Sequence, residues 1–320
     1  MRVPEFLPLA CAFLLGTAIE VHAGSIVAAD GSGDFTSVQE AVNASPQIVD
    51  SANPWVIRVK PGMYKERVYI QREKRFLRLV GEDAEKTVIT FGLYAAMKGP
   101  DDKPIGTFRT PTVQVDADDF TAEKITFANS AGNTGQALAI RIDGDRVVFR
   151  NCRFLGWQDT ILANRGRHYF EECYIAGACD FIFGAATAYF QKCQIHCLAG
   201  NYITAASTAN EQPYGFVFSQ CKVTVANAGF KTYLGRPWRA SASVTFLDTE
   251  LPAQIHAEGW DNWRDPAREK TVRFAEFKST GPGANPAGRV KWSKQLSVET
   301  AGAITAESIL RGNDGWNPFR

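Results

Sequence analysis

The stretch FRNCRFLGWQDTILANRGRHYFEECYI, residues 149–175, decides the fold, because its first six and last six residues follow one pattern. Each of these hexapeptides begins with phenylalanine, has cysteine in fourth place and ends on an apolar residue. Six copies of the phenylalanine-to-apolar spacing occur along the chain, at 120–125, 149–154, 170–175, 190–195, 218–223 and 246–251. Four of these copies carry the cysteine, namely Cys152, Cys173, Cys193 and Cys221. Such repetition predicts an array of similar units.

The spacing of the copies indicates the kind of array. Successive copies start 29, 21, 20, 28 and 28 residues apart, which is the range of solenoid repeats. Each unit contains one clear short strand, such as 147–149, and Gly, Asn or Asp residues separate these strands. We therefore predict an all-β protein, a right-handed, single-stranded parallel β-helix with short capping helices, whose coils stack about 4.8 Å apart.

Asp159 and Asp180 occur at equivalent points of two consecutive units, each ten residues after the phenylalanine that opens its copy. If the register holds, their Cα atoms lie roughly 5 Å apart. Two carboxyl groups this close do not both ionise readily, so the pair divides into an acid and an anion. The alternative is a pair of unrelated, exposed turn residues. The apolar and aromatic neighbours at 157–162 and 179–184 favour the paired site, because burying two acids without a function is costly.

Composition and charge describe an ordinary soluble chain. It has 320 residues, with 45% hydrophobic and 22% charged residues, enough for a sizeable core. The formal net charge of +1 favours neither a nucleic-acid partner nor a membrane surface. Because no linker divides the chain, we expect one elongated domain over residues 24–320.

The N-terminus is typical of a secretory signal peptide over residues 1–23. Arg2 precedes an apolar stretch at 6–19, and Val21-His22-Ala23 offers a small-residue cleavage site. The apolar stretch of 14 residues is shorter than the roughly 20 that span a bilayer, so no membrane span is expected. A lipid anchor at Cys11 is not expected, because residues 8–10 form a poor lipoprotein signal. The mature protein should therefore be secreted, extracellular or periplasmic.

Local signals predict the elements outside the repeats. Thr36 and Gln39 form a capping-box pattern that predicts a short helix plugging the N-terminal end of the solenoid. Strands are predicted at 55–59, 76–80 and 87–90, a surface loop at 92–106 and a final small helix at 304–310.

The cysteines, the histidines and the absent motifs limit the kinds of catalytic site that the sequence allows. Six cysteines remain after residue 23; Cys152 and Cys173 could form disulfides with stacked neighbours or pack as small apolar residues, and both interpretations stay open. No Cys-x-x-Cys pair or histidine cluster predicts a metal site. The sequence has no Gly-x-Ser-x-Gly motif and only three histidines after residue 23, which argues against a Ser-His-Asp esterase.

The ordered motifs resemble those of the pectin methylesterase family, in particular its secreted, bacterial-type members. They are GSGDF at 31–35, GMYKE at 62–66, QALAIR at 136–141, GWQDTIL at 156–162, DFIFG at 180–184 and LGRPW at 234–238. The resemblance extends from about residue 26 to 313. It implies a pectin-lyase-like β-helix, which agrees with the repeats, and an enzyme that releases methanol from methyl-esterified homogalacturonan. It also implies no metal, no organic cofactor and a monomer.

The resemblance assigns five catalytic positions. Asp180 would be the nucleophile that attacks the ester carbonyl, and Asp159 the acid that protonates methanol and then activates water. Gln136 and Gln158 would donate hydrogen bonds to the oxyanion, where the alternative is a ladder of stacked amides. Arg236 would keep Asp180 ionised, which is compatible with a structural ion pair.

The resemblance also suggests substrate contacts and one disulfide. Substrate would meet Gln136 and Arg236 and three further residues, Thr107, Phe181 and Trp238. Trp260 and Trp263 are candidate cleft aromatics, each with a structural alternative. The family's frequent disulfide position corresponds to Cys193 and Cys221. Cys179, Trp157 and Ala163 depart from the family pattern without removing a catalytic group.

Other functions remain as rivals. Parallel β-helices also host glycoside hydrolases and lyases that act on pectin, and a retaining hydrolase would place its two carboxyl groups about 5 to 5.5 Å apart. A family member with a different ester substrate and a non-catalytic carbohydrate-binding protein are the further alternatives.

Overall fold

The computed structural model describes residues 24–47 and 50–319, and the proposed signal peptide and Cys11 lie outside this part. The described chain winds through three parallel sheets as a right-handed parallel β-helix, as predicted. Most coils contribute one strand to each sheet, so they contain further strands besides the one that is clear in each repeat of the sequence. Short strands of two to five residues carry too little periodicity to be told apart from turns in the sequence.

The strands of the three sheets are as follows. The first sheet contains Gly24–Val27, Trp55–Val59, Leu77–Gly81, Thr121–Glu123, Val147–Arg150, Arg167–Glu171, Thr187–Gln191, Phe216–Ser219, Ser243–Leu247, Arg273–Phe277 and Lys294–Gln295. The second contains Gly62–Lys65, Thr87–Phe91, Thr126–Asn129, Arg153–Leu155, Tyr174–Gly177, Gln194–Cys197 and Lys222–Val225. The third contains Val68–Ile70, Val113–Val115, Ile140–Ile142, Ile161–Ala163, Ile182–Gly184, Tyr202–Ala206 and Tyr233–Gly235.

The phenylalanines of the repeat form an internal stack. The predicted register is confirmed for five of the six copies, in which Phe149, Phe170, Phe190, Phe218 and Phe246 pair in order. The register of the first copy was wrong, because Phe149 pairs with Ala122 rather than Phe120. The turn that follows sets this register. Lys124 has a φ of 53° and Asn151 a φ of 51°, so the left-handed turn residues align and Phe120 lies two positions out of phase.

The four repeat cysteines fill the interior as free, buried thiols. The prediction of a disulfide between Cys193 and Cys221 was therefore wrong. Both residues follow paired strands at the same position, so their side chains lie in parallel, and each thiol donates to a backbone carbonyl instead. The Sγ atom of Cys193 is 3.6 Å from the oxygen of Phe170, and that of Cys221 is 3.3 Å from the oxygen of Phe190. Of the two interpretations left open for Cys152 and Cys173, packing as small buried residues is confirmed.

Helices cover one end and one face of the solenoid. The predicted N-terminal helix is Val38–Ala44, capped by Ser37 rather than by Thr36. The carboxylate of Glu66 accepts hydrogen bonds from the Ser37 hydroxyl and from the first two N–H groups of the helix, at 2.6 to 2.9 Å. The C-terminal helices are Val298–Gly302 and Ala306–Leu310, and they pack on the outside of the first sheet. Three short 3₁₀ helices span Thr107–Arg109, Pro266–Lys270 and Pro286–Gly288.

The other local predictions are largely confirmed. The strand at 55–59 has the predicted bounds, the strand predicted at 76–80 is shifted by one residue to Leu77–Gly81, and the strand predicted at 87–90 extends one residue further to Phe91. The loop at 92–106 contains no helix or strand. Within the residues described, no helix is both long and apolar enough to cross a membrane.

Candidate active site

Two tight turns bring the aspartates together at the entrance to the third sheet. Ile161 pairs with Ile182 in this sheet, which puts Asp159 and Asp180 at the same position of adjacent coils. Both aspartates are in the left-handed region, with φ values of 66° and 48°, a conformation that Asp tolerates better than most residues. The predicted stacking of the two residues is therefore present in the structure.

Glycines make these turns possible. A Cβ atom at Gly156 would lie 2.6 Å from the hydroxyl of Thr160, and one at Gly177 would lie 2.2 Å from Cβ of Phe181. Because real Cβ atoms do not approach so closely, only glycine allows the chain to fold back at both points. The Gly-x-x-Asp spacing in 156–159 and 177–180 is thus a structural requirement of the paired aspartates.

The aspartates open into a cavity of about 340 Å³ over the third sheet. It is lined by Thr107, Phe108, Gln136, Gln158, Asp159, Asp180, Phe183, Ala205, Arg236, Trp238 and Trp263. Every residue to which the resemblance assigned a catalytic role or a substrate contact lies in this lining, except Phe181. Residues spread over 157 positions of sequence, from 107 to 263, therefore meet in one place.

Phe181 is the exception, and its selection as a substrate contact was wrong. Its side chain is fully buried in the main core, in the space that Gly177 leaves open. Phe183, two residues later, instead projects from the outer face of the third sheet into the cavity. Strand alternation from the buried Ile182 could have identified Phe183. Asp180, the left-handed residue before the strand, interrupts this alternation, so the sequence pattern did not distinguish Phe181 from Phe183.

The two candidate tryptophans lie in different environments. Trp263 lines the cavity, whereas Trp260 is 1% exposed and stacks on Phe274 with ring centroids 4.4 Å apart. Trp260 is therefore a core residue. Phe108, which the sequence did not indicate, is 49% exposed at the cavity wall. Its only signal was its position next to Thr107.

An apolar surface forms the floor of the cavity. Leu162, Phe183 and Ala205 occupy one in-register row on the outside of the third sheet. Trp238 and Trp263 pack against this row, and the rings of Trp238 and Phe183 meet edge to face at 5.7 Å. Flat apolar faces of this kind pack well against the C–H faces of sugar rings.

Arg236 pairs with one aspartate only. Its Nε is 3.0 Å from Oδ1 of Asp180 and its Nη2 is 2.6 Å from Oδ2. This bidentate geometry is the strongest form of the arginine–carboxylate pair. No described residue hydrogen-bonds to the carboxyl group of Asp159, although that residue is only 8% exposed.

This asymmetry separates the protonation states of the two carboxyl groups. Burial, and second the charge of Asp180, raise the pKa of Asp159 to about 8, against a smaller opposing effect of Arg236. Burial also raises the pKa of Asp180, but the hydrogen bonds and charge of Arg236 oppose it. The ion pair with Arg236 therefore makes Asp180 the member of the pair that favours the anion, while Asp159 favours the protonated form.

Two free amides stand beside the acids. Gln136 and Gln158 pair through their backbones on adjacent coils. Their backbone carbonyls accept hydrogen bonds from Ala95 and Ala137, respectively, at 2.8 and 3.1 Å. No described residue hydrogen-bonds to either side-chain amide, so the two do not form the stacked amide ladder considered as an alternative. Their N–H groups are available to a ligand in the cavity.

Cys179 continues the row of glutamines into the next coil, where it pairs with Gln158. Its Sγ lies 3.9 Å from Nη2 of Arg236. Burial raises the pKa of this thiol to about 12, with Asp180 as the next cause. Because the thiolate is the reactive form, Cys179 is not an alternative nucleophile at neutral pH.

Fold and site together define a class: parallel β-helix hydrolases with paired carboxyl groups in an aromatic-lined cleft. The chain belongs to the pectinesterase family, because the family model described as Pectinesterase matches residues 24–313. Members of this family are carboxylic ester hydrolases.

Individual relatives agree with this assignment. The chain is 40% identical over 290 residues to Pectinesterase 31 of Arabidopsis thaliana, covering 89% of this chain and 91% of the relative. It is 33% identical to the solved structure of the pectin methylesterase from carrot, with a TM-score of 0.84 and coverage of 92% and 95%. A pectin methylesterase solved in complex with a hexasaccharide is 29% identical, with a TM-score of 0.78 and coverage of 92% and 98%.

Proposed function

We propose that this protein is a secreted pectin methylesterase, which hydrolyses the C6 methyl esters of homogalacturonan to free carboxylates and methanol. The observation that carries the proposal is the asymmetric aspartate pair, in which Asp180 is ion-paired and Asp159 is not. A carboxylate nucleophile beside a neutral carboxylic acid is one arrangement that can hydrolyse an ester through a covalent intermediate. Family membership and the oligosaccharide bound by a structural relative support pectin as the substrate.

In the first half-reaction, the carboxylate of Asp180 attacks the ester carbonyl carbon. The new C–O bond turns the carbonyl oxygen into an oxyanion, which accepts hydrogen bonds from the amides of Gln136 and Gln158. Asp159 donates its proton to the methoxy oxygen as the C–O bond to methanol breaks. Methanol leaves, and an acyl-enzyme anhydride joins the galacturonyl group to Asp180.

In the second half-reaction, Asp159 is now a carboxylate and takes a proton from water. The resulting hydroxide attacks the acyl carbon, again forming an oxyanion at the two amides. The bond to Asp180 breaks, which returns that carboxylate to Arg236 and leaves Asp159 protonated. Each group ends in its starting state.

The cavity walls suit a polysaccharide substrate. Trp238, Trp263 and Phe183 would contact the apolar faces of sugar rings, and Thr107 belongs to the same cavity lining. The lining residues Gln136, Gln158, Asp180 and Arg236 come from different coils, which stack about 4.8 Å apart along the third sheet. We infer that the polymer lies along the solenoid axis across several coils.

The decisive experiment measures methanol release from highly methylated homogalacturonan together with reducing ends and unsaturated termini. Methanol without chain shortening is expected. New reducing ends would indicate a glycoside hydrolase instead, and unsaturated termini a lyase. Acetylated, methyl-free pectin is the matched substrate. Acetate release from it, with no methanol from the methylated polymer, would assign a different ester. Binding to either polymer without any product would assign a carbohydrate-binding protein.

We also infer that the protein acts outside the cytoplasm as a monomer, after loss of residues 1–23. The support is the apolar segment at 6–19, the residues 21–23 after it and the extracellular nature of pectin. N-terminal sequencing of protein recovered from the periplasm or medium should begin at Gly24. Light scattering of that protein should give the mass of a single chain.

A further inference from the structure

The guanidinium of Arg236 lies between two aromatic rings. Its Cζ atom is 3.9 Å from the ring centroid of Tyr202 on one face and 3.8 Å from that of Trp263 on the other. One edge of the same group holds Asp180 through both Nε and Nη2. Contacts on two faces and one edge leave the guanidinium little freedom to rotate away from the carboxylate.

Tyr202 is held rigidly for this contact. It opens the third-sheet strand Tyr202–Ala206, and its carbonyl accepts a 2.8 Å hydrogen bond from the backbone N–H of Asp180. The ring of Tyr233, one coil further on, stacks on that of Tyr202 at 5.5 Å and 16°. The backbone N–H of Arg236 is bound to the same strand, at the carbonyl of Thr204. The arginine, the ring and the nucleophile therefore share one rigid support.

We propose that Tyr202 is a positioning residue for catalysis, which acts through Arg236 to hold its fork on Asp180 and keep that nucleophile ionised. The inference rests on the proposed function of Asp180. Tyr202 does not belong to the cavity lining, so we assign its role to the contact with Arg236 rather than to a contact with substrate. A ring over a desolvated guanidinium contributes a favourable cation–π energy, and it also keeps water from weakening the ion pair.

The groups around Asp180 determine in which direction its pKa should shift when the Tyr202 ring is removed. Burial raises its pKa and Arg236 opposes this rise. Without the Tyr202 ring, water would reach the guanidinium and the Arg236 side chain would rotate more freely. Arg236 would then lower the pKa of Asp180 less, so that pKa would rise further. The charged or titratable groups that face Asp180 are Arg236, Asp159, Cys179, Tyr202 and Asp261. Of these, only Arg236 is a cation.

The test compares Tyr202→Leu with Tyr202→Phe, which keeps the ring. For Tyr202→Leu, the acidic limb of kcat/KM against pH should move up by about one pH unit, the shift that a desolvated cation–π contact can supply. Its kcat at pH 6 should fall while KM changes less than about twofold. Tyr202→Phe should retain the wild-type profile. Tyr174→Leu is the matched control, because Tyr174 also contacts an arginine, Arg153, at 5.2 Å but on the second sheet.

A second readout does not depend on turnover. NMR titration of ¹³C-labelled aspartate carboxyl groups, assigned with Asp180→Asn, should show the same upward pKa shift in Tyr202→Leu. If wild-type protein released no methanol, the proposed function would fail while this titration still decided the positioning role. An unchanged Asp180 titration in Tyr202→Leu, or an equal shift in Tyr174→Leu, overturns the inference. Should the leucine variant unfold, Tyr202→Met carries the same comparison.

Discussion

Asp159 and Asp180 occupy the same position in adjacent coils, yet only Asp180 is paired with a cation. The repeat makes the two positions equivalent, and Arg236, which lies 56 residues after Asp180, makes them different. The difference favours the proton on Asp159 and the negative charge on Asp180. An acid and a nucleophile thus arise from one repeated sequence position.

Removal of the nucleophile should abolish turnover. We expect Asp180→Asn to lower methanol release by about 10⁴-fold or more, because an amide does not attack the ester. The matched control is Asp248→Asn, which changes an exposed aspartate in the same left-handed conformation, with a φ of 47°. Circular dichroism should show folded protein for both. Substantial activity in Asp180→Asn would refute its assignment as nucleophile.

Loss of the acid should change the stability profile as well as the rate. Because the pKa of Asp159 is raised to about 8 in the folded protein, folding favours the protonated form. That contribution is fully present below the unfolded pKa, near 4, and is lost as the pH rises through 8. Asp159→Asn should therefore raise Tm by about 3 °C at pH 8, and the gain should disappear near pH 4.

The same group should limit activity at alkaline pH. Asp159 must hold a proton to release methanol, so kcat/KM of the wild type should decline above about pH 8. Asp159→Asn should lower kcat by about 10² to 10⁴-fold and lose this alkaline limb. A wild-type profile that stays flat to pH 10 would contradict the assignment of Asp159 as the acid.

The oxyanion role of the amides can be tested separately. Gln158→Ala should lower kcat by about 100-fold, the usual cost of losing one oxyanion donor, with a smaller change in KM. Gln136→Ala should behave alike, and the double variant should show whether the two donors act on one oxygen. Gln295→Ala, which alters an exposed glutamine in the first sheet, should have wild-type kinetics. Equal activity of Gln158→Ala and Gln295→Ala would exclude the role.

Glycine 177 should be essential for stability. Gly177→Ala would place a methyl group 2.2 Å from Cβ of Phe181, and we expect a loss of about 2 to 4 kcal/mol in the free energy of unfolding. Gly302→Ala is the control, since nothing lies within 4 Å of its added Cβ, and it should be neutral or slightly stabilising. Urea unfolding of both variants measures the difference. A Gly177→Ala variant as stable as the control would contradict the tight-turn interpretation.

The stacked cysteines should remain reduced thiols. We expect six titratable thiols after unfolding of protein that begins at Gly24, and dithiothreitol should leave its Tm unchanged. A bridge between Cys193 and Cys221 would reduce the count to four and make Tm sensitive to the reductant.

The periodicity of the repeats and the chemistry of the turns depend on residues that lie close together in the chain. The sequence alone therefore determined the features that follow from them. The recurring phenylalanine and cysteine predicted the coils, and the equal offsets of Asp159 and Asp180 predicted their stacking, because parallel strands in register repeat every side chain at the same place. The register of the first copy escaped this reasoning, since spacing alone does not show which residue adopts the left-handed turn. The motif resemblance added Arg236 and the two glutamines, which spacing did not connect to the acids.

Only the tertiary structure decided which side chains meet around these acids. Phe183 rather than Phe181 faces the cavity, because one left-handed residue shifts the strand alternation. Tyr202 and Trp263 enclose Arg236 from opposite sides although 61 residues of sequence separate them. The pKa difference between Asp159 and Asp180 depends on burial and on the distance to that arginine. Burial and distance are properties of packing between coils, and no local pattern in the chain records them.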